Sequence, residues 1–74
     1  MKNWVDFVCE HHNIIKLSDE QVKIPNIAYD SNGRWFDHVI TKHEGHYTID
    51  ELDHDTGETV ATWNESSIKE YLGY

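Results

Sequence analysis

The chain has 74 residues, with 14 acidic side chains against 6 basic ones and a formal net charge of −8. A length like this makes one small domain, 1–74, which buries only about 60% of the surface its unfolded form exposes. The single cysteine, Cys9, excludes an intramolecular disulfide and an all-cysteine metal site. The negative balance argues against direct binding to nucleic acid or to an anionic membrane, since both need a basic footprint.

The longest apolar runs, Phe7-Val8-Cys9 and Ile27-Ala28-Tyr29, reach three residues, against the roughly 20 of a membrane span. Asp6 and Glu10 interrupt what would be the apolar region of a signal peptide, so a cytoplasmic protein is expected. High net charge is also a mark of disorder. Here three tryptophans, four tyrosines and two phenylalanines offset it, each bringing roughly 150–250 Å² of buriable surface. With one proline and no low-complexity stretch, a folded domain is expected.

Trp4, Phe7, Val8 and His11 recur at helical spacing and predict an amphipathic helix over about Trp4 to His12. Asn3 fits the N-cap, Asp6 the first turn, and Asn13 the stop. Cys9 falls on the apolar face of that helix or at its border, where a free cysteine acts as a small hydrophobe. Ile14-Ile15-Lys16-Leu17 then leads into Ser18-Asp19-Glu20-Gln21, a polar turn or a single helical turn.

From Val22 the period becomes alternating. Val22-Lys23-Ile24 and Ile27-Ala28-Tyr29 flank Pro25, which places that strand at an edge or makes it bulged. Asp30-Ser31-Asn32-Gly33 is a turn, Arg34 to Lys42 a second strand, Gly45 a turn, and His46 to Leu52 a third strand. Asp53-His54-Asp55-Thr56-Gly57 turns into a fourth strand, Glu58 to Trp63. Asn64 or Ser66 is placed to cap a final helix, and Ser67 with Glu70 has capping-box spacing; Ile68, Tyr71 and Leu72 form its apolar face and Gly73 ends it. If Asn64 is the cap, Trp63 and Ile68 make a hydrophobic staple. The fold class is α+β: a small single domain with an antiparallel meander of three to four strands, flanked by an N-terminal and a short C-terminal helix. Helices covering Phe36 and Ile40 leave Trp35 and Val39 on an open sheet face.

Six histidines prompt a search for metal ligands. His43-Glu44-Gly45-His46 is a turn, His11 and His12 point to different sides of a helix, and no recognised zinc spacing links them with Cys9. The stretch from Asp53 to Glu58 lacks the remaining ligands of a calcium loop and is explained by a hairpin turn with glycine at positive φ. Ser18, Ser31, Ser66 and Ser67 sit at caps and turns, and the glycines are too dispersed to cradle a phosphate. No enzyme activity, cofactor or metal is expected.

The charge is uneven. Residues 1 to 37 hold six acids and four bases, whereas residues 38 to 74 hold eight acids and two bases. No lysine or arginine occurs between His43 and Asn64, where Glu44, Asp50, Glu51, Asp53, Asp55 and Glu58 lie. Glu51, Asp53 and Asp55 share one parity and are expected to form a row. These six acids, with Trp35 and Tyr47 as aromatic anchors, make the expected contact with a partner. That partner is a basic protein surface, and the pointed form is a nucleic-acid mimic: an inhibitor of a nucleic-acid-binding enzyme, of the anti-defence type that phages and mobile elements encode. The alternative is a structural or regulatory homodimer burying Trp35 and Val39. A third reading is a histidine-based pH or metal sensor, because protonating all six histidines moves the formal charge from −8 to −2.

Overall fold

The computed structural model describes residues 3–73. Helix α1 spans Trp4–His11, and its start is a complete capping box. Asn3 Oδ1 accepts the Asp6 N–H at 3.0 Å, and Asp6 Oδ2 accepts the Asn3 N–H at 3.3 Å, so two donors that the helix leaves unpaired are satisfied together. His12, in extended conformation, closes the helix rather than Asn13. Val8 is fully buried, but Cys9 and His11 are exposed, so the apolar face is narrower than the spacing predicts. The ring N–H of His11 turns back to the Phe7 carbonyl at 2.9 Å.

Five strands follow: β1 (Ile15–Ser18), β2 (Gln21–Tyr29), β3 (Trp35–Lys42), β4 (Tyr47–Asp53) and β5 (Thr59–Glu65). They form one antiparallel sheet in the order β1-β2-β3-β4-β5. The meander is as expected, with one strand more than three to four. All four β1 residues are exposed, so this strand carries none of the alternation that betrays the others.

Helix α2, Ile68–Leu72, is capped by Ser67, whose Oγ accepts the Glu70 N–H at 3.1 Å. Asn64 remains in β5, which removes the expected staple between Trp63 and Ile68. Gly73 ends the helix at φ 85° in the left-handed conformation.

Both helices lie over one sheet face. The register sets Val22, Ile40, Ile49 and Trp63 side by side across β2 to β5. Val8 of α1 and Ile68 of α2 close over this row, and Trp4, Phe7, Tyr47, Tyr71 and Leu72 pack around it. Burying such a branched side chain contributes about 1.5–3 kcal/mol. On the other face Val39 stands in a row between Lys23 and Asp50.

Pro25 lies in a bulge. Ile24 pairs with His38 and Ala28 with Phe36, so Pro25, Asn26 and Ile27 together oppose Asp37. The strand is not an edge, but β1 pairs only with Gln21 to Lys23, so no ladder partner on that side needs a proline N–H. Asn26 adopts φ 55°, a conformation asparagine tolerates better than β-branched residues. Asn26→Val is expected to lower stability by about 1–2 kcal/mol, read from the urea midpoint, whereas Asn26→Gly leaves it unchanged or higher.

Candidate functional site

The candidate site is the end of the sheet where the β2–β3 and β4–β5 turns meet. Backbone bonds tie these turns together: the His54 N–H donates to the Trp35 carbonyl at 2.9 Å, the Asp53 N–H to Glu58 at 2.8 Å, and the Asp30 N–H to Arg34 at 3.0 Å. Asp30 Oδ1 also accepts the N–H groups of Asn32 and Arg34, each at 2.9 Å, which is how an aspartate fixes a turn locally.

Two buried aspartates hold this end rigid. Asp53 is 5% exposed. Its Oδ1 accepts the N–H of Asp55 at 2.9 Å and of Thr56 at 3.1 Å, while Oδ2 takes Arg34 Nε at 3.0 Å and the terminal Arg34 Nη2. The Arg34 hydrogen bond, followed by the Thr56 and Asp55 N–H groups, holds the Asp53 carboxyl below the ordinary carboxylate range. Gly57, at φ 77°, completes the turn as the sequence implies.

Asp37 is 2% exposed. It accepts the Asn26 N–H at 2.8 Å and the His54 Nδ1–H at 2.8 Å, and Lys23 Nζ lies 3.6 Å away. Burial alone pushes this carboxyl up. The Asn26 and His54 hydrogen bonds and the charges of His54 and Lys23 outweigh that push and leave it low. Asp37 thus supplies the acceptor that the β2 bulge takes from its own ladder.

On this rigid base the aromatic pair stands out. Tyr29 and Trp35 are cross-strand partners, 62% and 47% exposed, with ring centroids 4.9 Å apart. Asp55 and Glu58 are exposed in the adjoining turn. Asp50 lies further along the open face, where Thr62 Oγ1 donates to it at 2.8 Å.

The eight expected contact residues therefore do not form one patch. Trp35, Asp55 and Glu58 share the turn end, and Asp50 occupies the open face. Glu44 is exposed at the opposite end, in the β3–β4 turn. There the rings of His43 and His46 stack at 4.7 Å. Tyr47 is on the helix side, 5.5 Å from Trp4 between ring centroids, with its hydroxyl pKa raised by burial and by Glu20. It lines a shallow hollow of about 270 Å³ with Trp4, Phe7, Ser67, Ile68 and Lys69, smaller than the roughly 300–1,000 Å³ usual for ligand sites. The expected row of Glu51, Asp53 and Asp55 does not exist as an exposed feature. Asp53 is neutralised by Arg34, and Asp55 lies beyond the strand in the turn.

Glu51 belongs to a network the charge pattern conceals. It faces the helices, and its Oε2 is 2.9 Å from His38 Nε2, while His38 Nδ1 is 2.6 Å from the Tyr71 hydroxyl. His38 is 8% exposed and makes an edge-on contact with Trp63 at 5.3 Å. The neutral imidazole protonated at Nε2 satisfies both partners: it donates to Glu51 and accepts from Tyr71. Burial, then the charges of Glu51 and Glu65, keep the Tyr71 hydroxyl protonated well above the usual phenol range. The clue lies in parity, since His38 is two residues before Ile40 and Glu51 two after Ile49, both on the core face.

Among the described residues, no three histidine, cysteine or carboxylate side chains converge in a way that would hold a metal ion. No helix among them is long and apolar enough to cross a membrane. Comparison with protein-family models, with curated proteins and with solved structures gave no match.

Proposed function

We propose that this is a non-enzymatic acidic binding protein of the cytoplasm that docks on a basic protein surface. In its most specific form it is an inhibitor occupying the nucleic-acid site of a nucleic-acid-binding enzyme. One observation carries this reading. The only lysine or arginine bridged to an acid of the β4–β5 hairpin, among the described residues, is Arg34, and it is committed to buried Asp53. Asp50 and Asp55 have no such bridge, and Glu58 meets Arg34 only at longer range, so the hairpin projects negative potential outward.

The exposed Tyr29–Trp35 pair beside these acids suits a partner rich in arginine. A guanidinium stacks on an aromatic face with about 0.5–2 kcal/mol of attraction, and the neighbouring carboxylates add to it. A second copy is a poorer occupant, because each copy carries a net charge of −8. Asp53 and Glu51 support the fold in this reading, Tyr47 belongs to the helix side, and Glu44 is a separate charge at the far end.

The test uses the immobilised protein and cell extract, eluted with a salt gradient and, separately, with duplex DNA. Retained proteins are expected to be cationic nucleic-acid binders that DNA displaces. The double variant Asp55→Asn/Glu58→Gln is expected to slow association several-fold and flatten its salt dependence without altering the fold. Retention that neither salt, DNA nor the double variant changes rejects the reading.

A further inference from the structure

We infer that the outer edge of β5 accepts an extended, basic segment of the partner as a sixth strand of the sheet. This rests on the docking reading above and adds the mode of contact and the chemistry of the segment.

The two edges of the sheet are built differently. β1 is four residues long, contains Lys16 and has a register shift at its end, three devices that discourage strand addition. β5 is seven residues long, from Thr59 to Asn64 carries no charge, and contains neither lysine nor proline. Its one irregularity is near the start, at Val60, so Ala61 to Glu65 runs in regular register with β4. Of the seven β5 residues, five are exposed, and Trp63 and Glu65 are half-buried. β5 is the outermost strand, so its outward N–H and C=O groups have no strand partner among the described residues. An open edge of this kind is a template for main-chain pairing.

Charge selects the occupant. Glu58 precedes the strand, Glu65 ends it, and β4 behind it presents Asp50 on one face and Glu51 on the other. Neighbouring strands lie about 4.8 Å apart, so a lysine or arginine on an added strand reaches over Thr62 toward Asp50 on the open face, whereas Glu51 on the other face is held by His38. A cation on the open face of an incoming segment thus meets Asp50, with Glu58 and Glu65 at the two ends of the strand, while a second copy would bring like charge against like. Main-chain pairing supplies affinity and the acids supply selection for basic sequence.

The test measures binding of a blocked peptide of alternating lysine and threonine by titration and by amide exchange. Its controls are the same peptide N-methylated at every second amide, made in both frames, and poly-lysine. Unmodified peptide is expected to slow exchange of outward β5 amides, and methylation in one frame to weaken binding at least tenfold. Thr62→Lys, a solvent-facing change that keeps the fold by circular dichroism, is expected to weaken it similarly. Equal binding by both methylated frames overturns strand addition and leaves side-chain docking standing. No binding by the peptides or by poly-lysine overturns the docking reading itself. Self-association with protected β5 amides in the absence of peptide assigns the edge to a second copy and overturns the basic segment.

Discussion

Replacing Ile40 by alanine is expected to cost about 2–5 kcal/mol, a large part of the total stability of a small domain. Ile40 is fully buried between Val22 on one neighbouring strand and Ile49 on the other, beneath Val8 and Ile68. Removing its outer carbons opens a cavity touched by four elements, so no single one can move in to fill it. Ile40→Val, which deletes a single methylene, is expected to cost about 0.5–1.5 kcal/mol. Val39→Ala, on the uncovered face, is the control and should cost least. Urea unfolding followed by tryptophan fluorescence gives all three values. An Ile40→Ala effect no larger than that of Val39→Ala contradicts the placement of both helices on the Ile40 face.

The second large effect is acid destabilisation carried by Asp37 and Asp53. Both carboxyls titrate below their ordinary range in the folded protein, so the unfolded chain binds protons more readily than the native one as pH falls. Their contribution is present in full above the unfolded value of about 3.9 and is lost as pH drops through the lower folded values. A smaller decline begins earlier. Burial, then His11 and His38, hold the His12 imidazole below its ordinary value, so stability falls as pH drops through about 6.5. His12→Gln is expected to remove the early decline alone. Asp37→Asn is expected to flatten the profile below pH 4, because the amide keeps one oxygen for the Asn26 N–H but carries no charge. Asp37→Ala removes the charged acceptor of both the Asn26 and His54 hydrogen bonds, at about 1.5–3 kcal/mol. Denaturant midpoints between about pH 3 and 8 check each curve; an unchanged acid limb in Asp37→Asn rules out this origin.

The elements that bury a face were legible in the sequence. Val22 and Ile24, Trp35 to Ile40 and Tyr47 to Leu52 alternate because one side of each strand meets the helices, and Asn3 and Ser67 cap as their residue types suggest. β1 was not legible, since a short edge strand exposed on both sides has no hydrophobic period. The charged residues misled for a different reason. A carboxylate reads as surface by type, yet Asp37, Glu51 and Asp53 are drawn inward by specific donors: a bulged amide, a histidine from the next strand and an arginine across a turn. All three partnerships join different strands or turns, and local pattern cannot show them. Trp35 on the open face followed from parity alone, whereas Tyr47, read as a second anchor, lies over the core beside Trp4.

Every strand in the sheet pairs with its neighbour in sequence, through turns that run from two residues at Asp19-Glu20 to five at 30–34 and 54–58. Short loops close at small entropic cost, so the hairpins zip one after another at a speed set by local contacts. The packing of α1 on the far strands, as of Trp4 on Tyr47, and on α2 joins distant parts of the chain and is the exception. The apolar side of the sheet is covered only when α1 sets Val8 and α2 sets Ile68 over the Ile40 row and Tyr71 reaches His38. Folding is therefore expected to end in one docking step, with fast hairpin signals preceding the burial of Trp63.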